Sequence, residues 1–113
     1  MRKGSQPPRI GLPLSGSVEF FPVSDIIRCV GESSYTTFYF KNGSKNIISR
    51  TLKEYEELLS EHNFLRVHKS HLVNLNFVKS FVKSGDAHLV MNDGSIVPVS
   101  DAKKQDVLKN MGC

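Results

Sequence analysis

The sequence predicts a mainly β domain: short antiparallel strands, one short central helix and a short C-terminal helix. Three observations carry that expectation. Apolar runs rich in Val, Ile, Thr and Phe recur along the chain in short blocks. Asn42-Gly43 and Asp93-Gly94 lie between such blocks, where tight hairpins form. Only the stretch after Thr51 has strong helical spacing. With 113 residues and 12.7 kDa, two separate cores would each be too small to stand alone, so one domain is expected.

The elements follow in order. Residues 1–16 hold three prolines, three glycines and two serines, and read as a linker or tail with a short strand near Ile10–Leu14. The domain proper is expected over 17–113. Ser17–Phe21 alternates, with Val18 and Phe20 on one face. Ile26–Val30 and Thr36–Phe40 are apolar, aromatic and β-branched, so these three segments read as strands. Lys41-Asn42-Gly43 turns the chain toward Ile47-Ile48, and Asn-Gly tolerates the positive φ of a type I′ turn.

Thr51-x-x-Glu54 is a capping box. Leu52, Tyr55, Leu58 and Leu59 follow at helical spacing. A helix is expected over about 52–61, apolar on one side and acidic on the other, with Asn63 ending it in the left-handed conformation. Phe64–Val67 reads as extended, His68-Lys69-Ser70-His71 interrupts, and Leu72-Val73-Asn74 and Phe77–Val82 resume. Ser84-Gly85-Asp86 is a turn. His88–Met91 and Ile96–Val99 flank the turn Asn92-Asp93-Gly94. Pro98 has no N–H for a ladder, which points to an edge strand. Ser100 or Asp101 stands where it could cap a last helix over Ala102–Met111.

Composition excludes several classes. No apolar run approaches the roughly 20 residues that a membrane span needs. The start MRKGSQPPRIG has no apolar core for a secretory signal. Cys29 and Cys113 are too few for a disulfide framework and suit a reducing compartment, so a cytoplasmic location with no membrane partner is expected. The net charge is +4, and its distribution is uneven. Glu54, Glu56, Glu57 and Glu61 face only Lys53 within their segment. Residues 64–83 carry Arg66, Lys69, Lys79, Lys83, His68 and His71, and no acid. Such a stretch fits either a polyanionic partner or a solvated basic face.

Catalytic constellations are weak. His68-x-x-His71 would put its side chains on opposite faces of a continuous strand, and no Cys or carboxylate is near in sequence to complete a zinc set. Cys29 lies inside a strand-like run, where a thiol acts as a small hydrophobe. No Gly-rich phosphate loop and no nucleophile elbow is present. The expectation is no enzyme, no metal and no cofactor. The segment Phe64–Asn74 differs, because it collects fixed charge, neutral donors and an amide in one break between strands. That mixture suits phosphates and base edges, although Ser70 and Asn74 could equally serve turn backbone.

Five segments, in order, carry a resemblance. Asp25-Ile26-Ile27-Arg28-Cys29 resembles a D-I-x-x-I strand, and Ser34-Tyr35-Thr36 an N-Y loop. Residues 49–59 resemble a characteristic helix. Phe64-x-Arg66-Val67-His68-Lys69-Ser70-His71-Leu72-Val73-Asn74 resembles F-x-R-x-H-(R/K)-S-x-(L/I)-(V/I)-N. Asp93-Gly94-Ser95-x-Val97-Pro98-Val99-Ser100 resembles a closing (D/N)-G-x-x-(I/V)-P-V-S. Together they make the chain, from about Ser17 to Met111, similar to the LytTR domain. That domain is the DNA-binding output module of LytR/AlgR-type bacterial response regulators.

The resemblance implies an elongated stack of small antiparallel sheets that binds double-stranded DNA through loops. Carried onto this sequence, the first loop holds Ser34, Tyr35 and Thr36, and the second His68, Lys69 and Ser70. The third begins at Ser100 and includes Lys103 and Lys104. It also implies transcription regulation in a two-component phosphorelay, an N-terminal receiver domain in the full-length protein, and direct repeats bound by two copies. By chemistry Lys69 suits a guanine edge or a phosphate, Ser70 and Thr36 suit phosphates, and Tyr35 suits a phosphate or packing. Arg66 could turn to either face.

Two departures stand out. Asp101 occupies a place where many members carry Arg or Lys, and Ser33-Ser34 replaces Gly-Asn. The rival reading is a non-enzymatic β module binding single-stranded nucleic acid or a protein. It would need exposed aromatics, for which Phe38 and Phe40, on one strand face, are the candidates.

Overall fold

Leu72 and Val73 are chain neighbours and both are fully buried, so the sheet holding them has core on each face. The computed structural model describes residues 7–113. Its strands are β1 (Arg9–Leu14), β2 (Ser17–Pro22), β3 (Ile26–Glu32), β4 (Tyr35–Phe40), β5 (Lys45–Ile48), β6 (Phe64–His68), β7 (His71–Asn74), β8 (Val78–Val82), β9 (His88–Met91) and β10 (Ile96–Pro98). Its helices are α1 (Leu52–Leu59) and α2 (Lys104–Asn110). Three antiparallel sheets result. The central one has the order β5-β4-β3-β7-β6, flanked by the ribbon β1-β2 and the sheet β10-β9-β8.

The alternation that buries both Leu72 and Val73 divides the interior in two. Cys29, Phe38, Phe40, Ile48, Phe64 and Leu72 meet Leu52, Tyr55 and Leu59 of α1 and Ile10 and Leu12 of β1. On the other face, Ile27, Val67 and Val73 meet Leu89, Met91, Val97 and Val107. The layers stack into a body of 44 × 38 × 24 Å. The mainly β class, the small antiparallel sheets, the central helix and the C-terminal helix stand as expected. Pro98 is on an outer strand.

Several details differ from expectation. Of the segment 1–16, residues 1–6 lie outside the described residues, while Arg9–Leu14 pairs along its length with Ser17–Pro22 and places Ile10 and Leu12 in the first core. The apolar face of β2 is turned outward, with Val18 54% and Phe20 60% exposed. The Phe20 ring covers Gly11, opposite it in register, where a Cβ would lie 2.9 Å from the ring. Leu58 is also exposed, because it sits about a quarter of a turn off the line of Leu52, Tyr55 and Leu59.

The hairpin turns are not type I′. Gly43 and Gly94 take positive φ, but Asn42 and Asp93 do not. The Gly43 N–H donates to the Phe40 carbonyl and the Phe40 N–H to the Ser44 carbonyl; Met91, Gly94 and Ser95 repeat the pattern. That is a type I turn closed by a left-handed glycine. Asn42 Oδ1 and Asp93 Oδ1 each accept from the N–H and hydroxyl of the serine two residues on.

At α1 the Thr51 hydroxyl accepts from the Glu54 N–H at 3.4 Å, and Asn63 ends the segment at φ 67°. The last helix begins as a 3₁₀ turn over Asp101–Lys103, capped by the side chain of neither Ser100 nor Asp101.

Candidate nucleic-acid interface

The second loop is the tight turn Lys69-Ser70 between β6 and β7. A bulge at Val67 shifts the register, so that His68 pairs with His71. Before the bulge, strand alternation keeps Phe64 and Arg66 on the α1 side and turns Val67 into the second core. The two histidines therefore converge, with ring centroids 5.3 Å apart. The expectation of opposite faces failed because the strand ends between them. Convergence does not make a metal site: among the described residues, no three His, Cys, Asp or Glu side chains gather.

Arg66 builds this loop. Its Nη1 donates to Glu56 Oε1 on α1 at 2.8 Å, its Nε to the His68 carbonyl at 3.3 Å, and its Nη2 to the Lys69 carbonyl. The side chain is only 22% exposed. Its planar fork thus fixes both carbonyls of the turn and leaves the Lys69 side chain outward. The Ser70 N–H donates to His68 Nδ1 at 3.1 Å, which makes that nitrogen the acceptor. His71 titrates low, at about 4, because it is half-buried and because His68 and Arg28 oppose a further positive charge. The Arg28 guanidinium is itself stacked 4.0 Å from the Tyr39 ring centroid.

The other two loops are fastened to this one. The Gly31 N–H at the end of β3 donates to the Ser70 carbonyl, and the Ser100 N–H donates to the Val67 carbonyl, each at 2.9 Å. All three sequence-predicted loops therefore meet at one end of the central sheet. Gly31 is required there, since a Cβ would fall 2.8 Å from Leu52 Cβ at the start of α1.

In the first loop Ser34 and Tyr35 are exposed, and Ser33 holds φ 56°. Thr36 is different. It is fully buried and its hydroxyl donates to the Arg50 carbonyl at 2.7 Å, so it positions the loop and does not present a donor to solvent. That bond brings exposed Arg50 beside the first loop, a cation the sequence reading left off its site. Its place directly before the Thr51 cap was the available signal.

In the third loop Lys103 lies 3.8 Å from Asp106, and Lys104 3.0 Å from Asp101. The Asp101 side chain is 96% exposed, so it answers Lys104 and caps nothing. An open depression between His68, Asp86, Ser100 and Asp101 joins the second and third loops.

Other candidates fall away. Cys29 is fully buried, and burial pushes its thiol far above the ordinary range. Phe38 and Phe40 are buried, the first edge-on to Tyr55 at 4.7 Å and the second against Phe21 at 4.7 Å. The stacking platform of the single-strand reading is therefore absent from that face. Asn74 serves backbone: its Nδ2 donates to the Ile26 carbonyl and its Oδ1 accepts from the Asn76 N–H.

The chain matches the LytTr DNA-binding domain family over residues 16–112. It is similar to the heme-containing CO-sensing transcriptional regulator RcoM 2 of Paraburkholderia xenovorans (strain LB400), 32% identical over 93 residues, 80% of this chain and 34% of that protein. It is also similar to the sensory transduction protein LytT of Bacillus subtilis (strain 168), 28% identical over 103 residues, 89% of this chain and 42% of that protein. It therefore spans between about a third and two fifths of those relatives' length. A solved LytTr DNA-binding domain from Bacillus cereus shares the fold, with a TM-score of 0.78 at 24% identity over 93% of this chain and 97% of that one. With the family matched over nearly its whole length, this chain belongs to the LytTR family of DNA-binding domains.

Proposed function

We propose that this domain reads specific duplex DNA sequences as the output domain of a bacterial transcription regulator, working in the cytoplasm within a two-component phosphorelay. The observation that carries the reading is the joining of three loops at one end of the sheet through the Gly31–Ser70 and Val67–Ser100 backbone bonds. Lys69 stands foremost, suited to a guanine edge or a phosphate. Ser34, Tyr35, Ser70 and Ser100 supply neutral donors, and Arg50 adds charge beside the first loop. His68 and Thr36 hold the loops in shape. Lys103 and Lys104 contribute once phosphate displaces Asp106 and Asp101. In the full-length protein a receiver domain precedes this one, and two copies occupy direct repeats.

Selection of bound duplexes from a random library tests the specificity, followed by binding at several salt concentrations. Lys69 and Arg50, in no ion pair among the described residues, and two exchangeable cations give a log–log salt slope of about −2 to −4. Recovery of no preferred sequence, binding indifferent to salt, or preference for single strands refutes the proposal.

A further inference from the structure

We infer that this chain carries a head-to-tail interface for a second copy of itself, in which the outer face of α1 docks into the groove between β8 and α2. The donor face is centred on Leu58, 55% exposed near the C-terminal end of a helix otherwise anchored by Leu52, Tyr55 and Leu59. Glu54, Glu57 and Glu61 flank it on the side away from the core, all exposed. Among the described residues none of the three is in an ion pair, whereas their neighbour Glu56 holds Arg66. An exposed leucine flanked by these carboxylates matches a small contact surface with a polar rim.

The receiving groove, about 280 Å³, is lined by Phe81, Leu108 and Met111 over Val107, with Lys79 and Lys83 beside them. Both lysines are exposed and, among the described residues, unpaired. The groove is large enough for a leucine side chain, and its two lysines complement the acids around Leu58. Charge of opposite sign beside matching apolar centres favours this occupant over a neutral helix.

The placement of the two surfaces decides the symmetry. α1 covers the first core and α2 the second, on opposite faces of the central sheet. A contact joining unlike surfaces on opposite faces does not close on two copies; it repeats in one direction. The contact is small and charged, so it is weak and salt-sensitive in free solution and gains strength when two copies are held close together. It involves none of the loop residues assigned to DNA, so it stands or falls apart from the proposed function.

Sedimentation of the free chain at low salt, up to millimolar concentration, is the test. The parent is expected to associate progressively beyond two copies, and to revert to single copies in about 1 M salt, where charges are screened within about 3 Å. Lys79→Glu with Lys83→Glu, and separately Glu57→Lys with Glu61→Lys, should each weaken association by about tenfold or more, since like charges then face each other. An equal mixture of the two variants should associate again, because each reversed surface meets its reversed partner. All four positions are exposed, and circular dichroism verifies that the variants fold. A parent that stays single at every concentration overturns the inference. So does a closed dimer insensitive to both reversals, or a mixture that associates no better than either variant alone.

Discussion

Arg66→Lys separates a clamp from a phosphate contact, because lysine keeps the charge and loses the fork. In the structure the guanidinium reaches three acceptors at once: the Glu56 carboxylate and the carbonyls of His68 and Lys69. A lysine amine on the same strand can follow Glu56 or the turn, but not both. Two charge-assisted bonds to backbone are then lost from a side chain only 22% exposed. Such bonds contribute about 1.5–3 kcal/mol each when fully protected. The turn itself is partly solvated, so a total of about 2 kcal/mol is expected, and the melting temperature should fall by about 8–12 °C.

DNA affinity should fall several-fold on every sequence, as the freed turn must be ordered on binding, while the salt slope stays unchanged. Glu56→Gln provides the control: it keeps both carbonyl bonds and should cost under about 1 kcal/mol. The assays are thermal melting and a fluorescence binding titration at several salt concentrations. Arg66→Lys with parental melting temperature and parental affinity would falsify the clamp.

Lys69→Ala should cost about 1–3 kcal/mol on the selected site and relax preference at one position if Lys69 reads a base, or weaken all duplexes evenly if it touches phosphate; no loss on any duplex would remove this turn from the interface. Asp101→Asn should leave melting nearly unchanged, because Asp101 caps nothing and its exposed pair with Lys104 contributes little, yet it should tighten DNA binding at low salt by freeing Lys104. Unaltered affinity would place the third loop away from the duplex. Ser33→Gly should raise stability by about 0.5–1 kcal/mol, since Ser33 holds φ 56° without a glycine; a lower melting temperature would contradict the strain. His71 is depressed to about 4, so between its unfolded value of 6.5 and about 4 the unfolded chain holds a proton that the native chain refuses. Stability should drop as pH falls through that window, and His71→Leu should flatten the drop in denaturant titrations; an identical pH profile would count against it.

What was legible in the sequence depended on whether a residue's signal was local. The Thr51 cap, the left-handed Asn63, both glycine turns and the edge position of Pro98 rest on neighbours within a few residues, and they appear where expected. The turn type was misjudged because a one-residue bulge after Asn-Gly looks the same in sequence as a two-residue loop. Val18 and Leu58 looked internal by apolar character, but burial is decided by which face the rest of the fold covers. Thr36 and Arg66 were the hardest. Thr36 is held by Arg50, and Arg66 is aimed by Glu56 onto its own turn; no spacing rule reveals a partner ten or more residues away. The first loop's threonine thus read as a ligand donor, when its hydroxyl holds the turn that presents Tyr35.

The division of the interior into two cores accounts for the different behaviour expected of the three loops. The hairpin β6-β7 is anchored in both: Phe64 and Leu72 lie in one core, Val67 and Val73 in the other. Asn74 ties its far end to Ile26, and Arg66 ties its turn to α1. Such a doubly buried element opens only with the whole domain, so Lys69 is held at a fixed place. The first loop meets this hairpin at Gly31, just past the β3-β7 ladder, and the third through the backbone bond at Ser100. Their cations differ too, since Arg50 is attached through its carbonyl and Lys103 and Lys104 begin in pairs with acids. If the domain reads DNA as proposed, a fixed central contact with adjustable neighbours would divide the work of recognition. The hairpin would set the register on the duplex, where a misplaced donor would lose a base edge. The outer loops would exchange partners to follow the phosphates, where the geometry varies with sequence. Stiffening the outer loops should therefore alter affinity on all sites, while loosening the hairpin should alter which site is preferred.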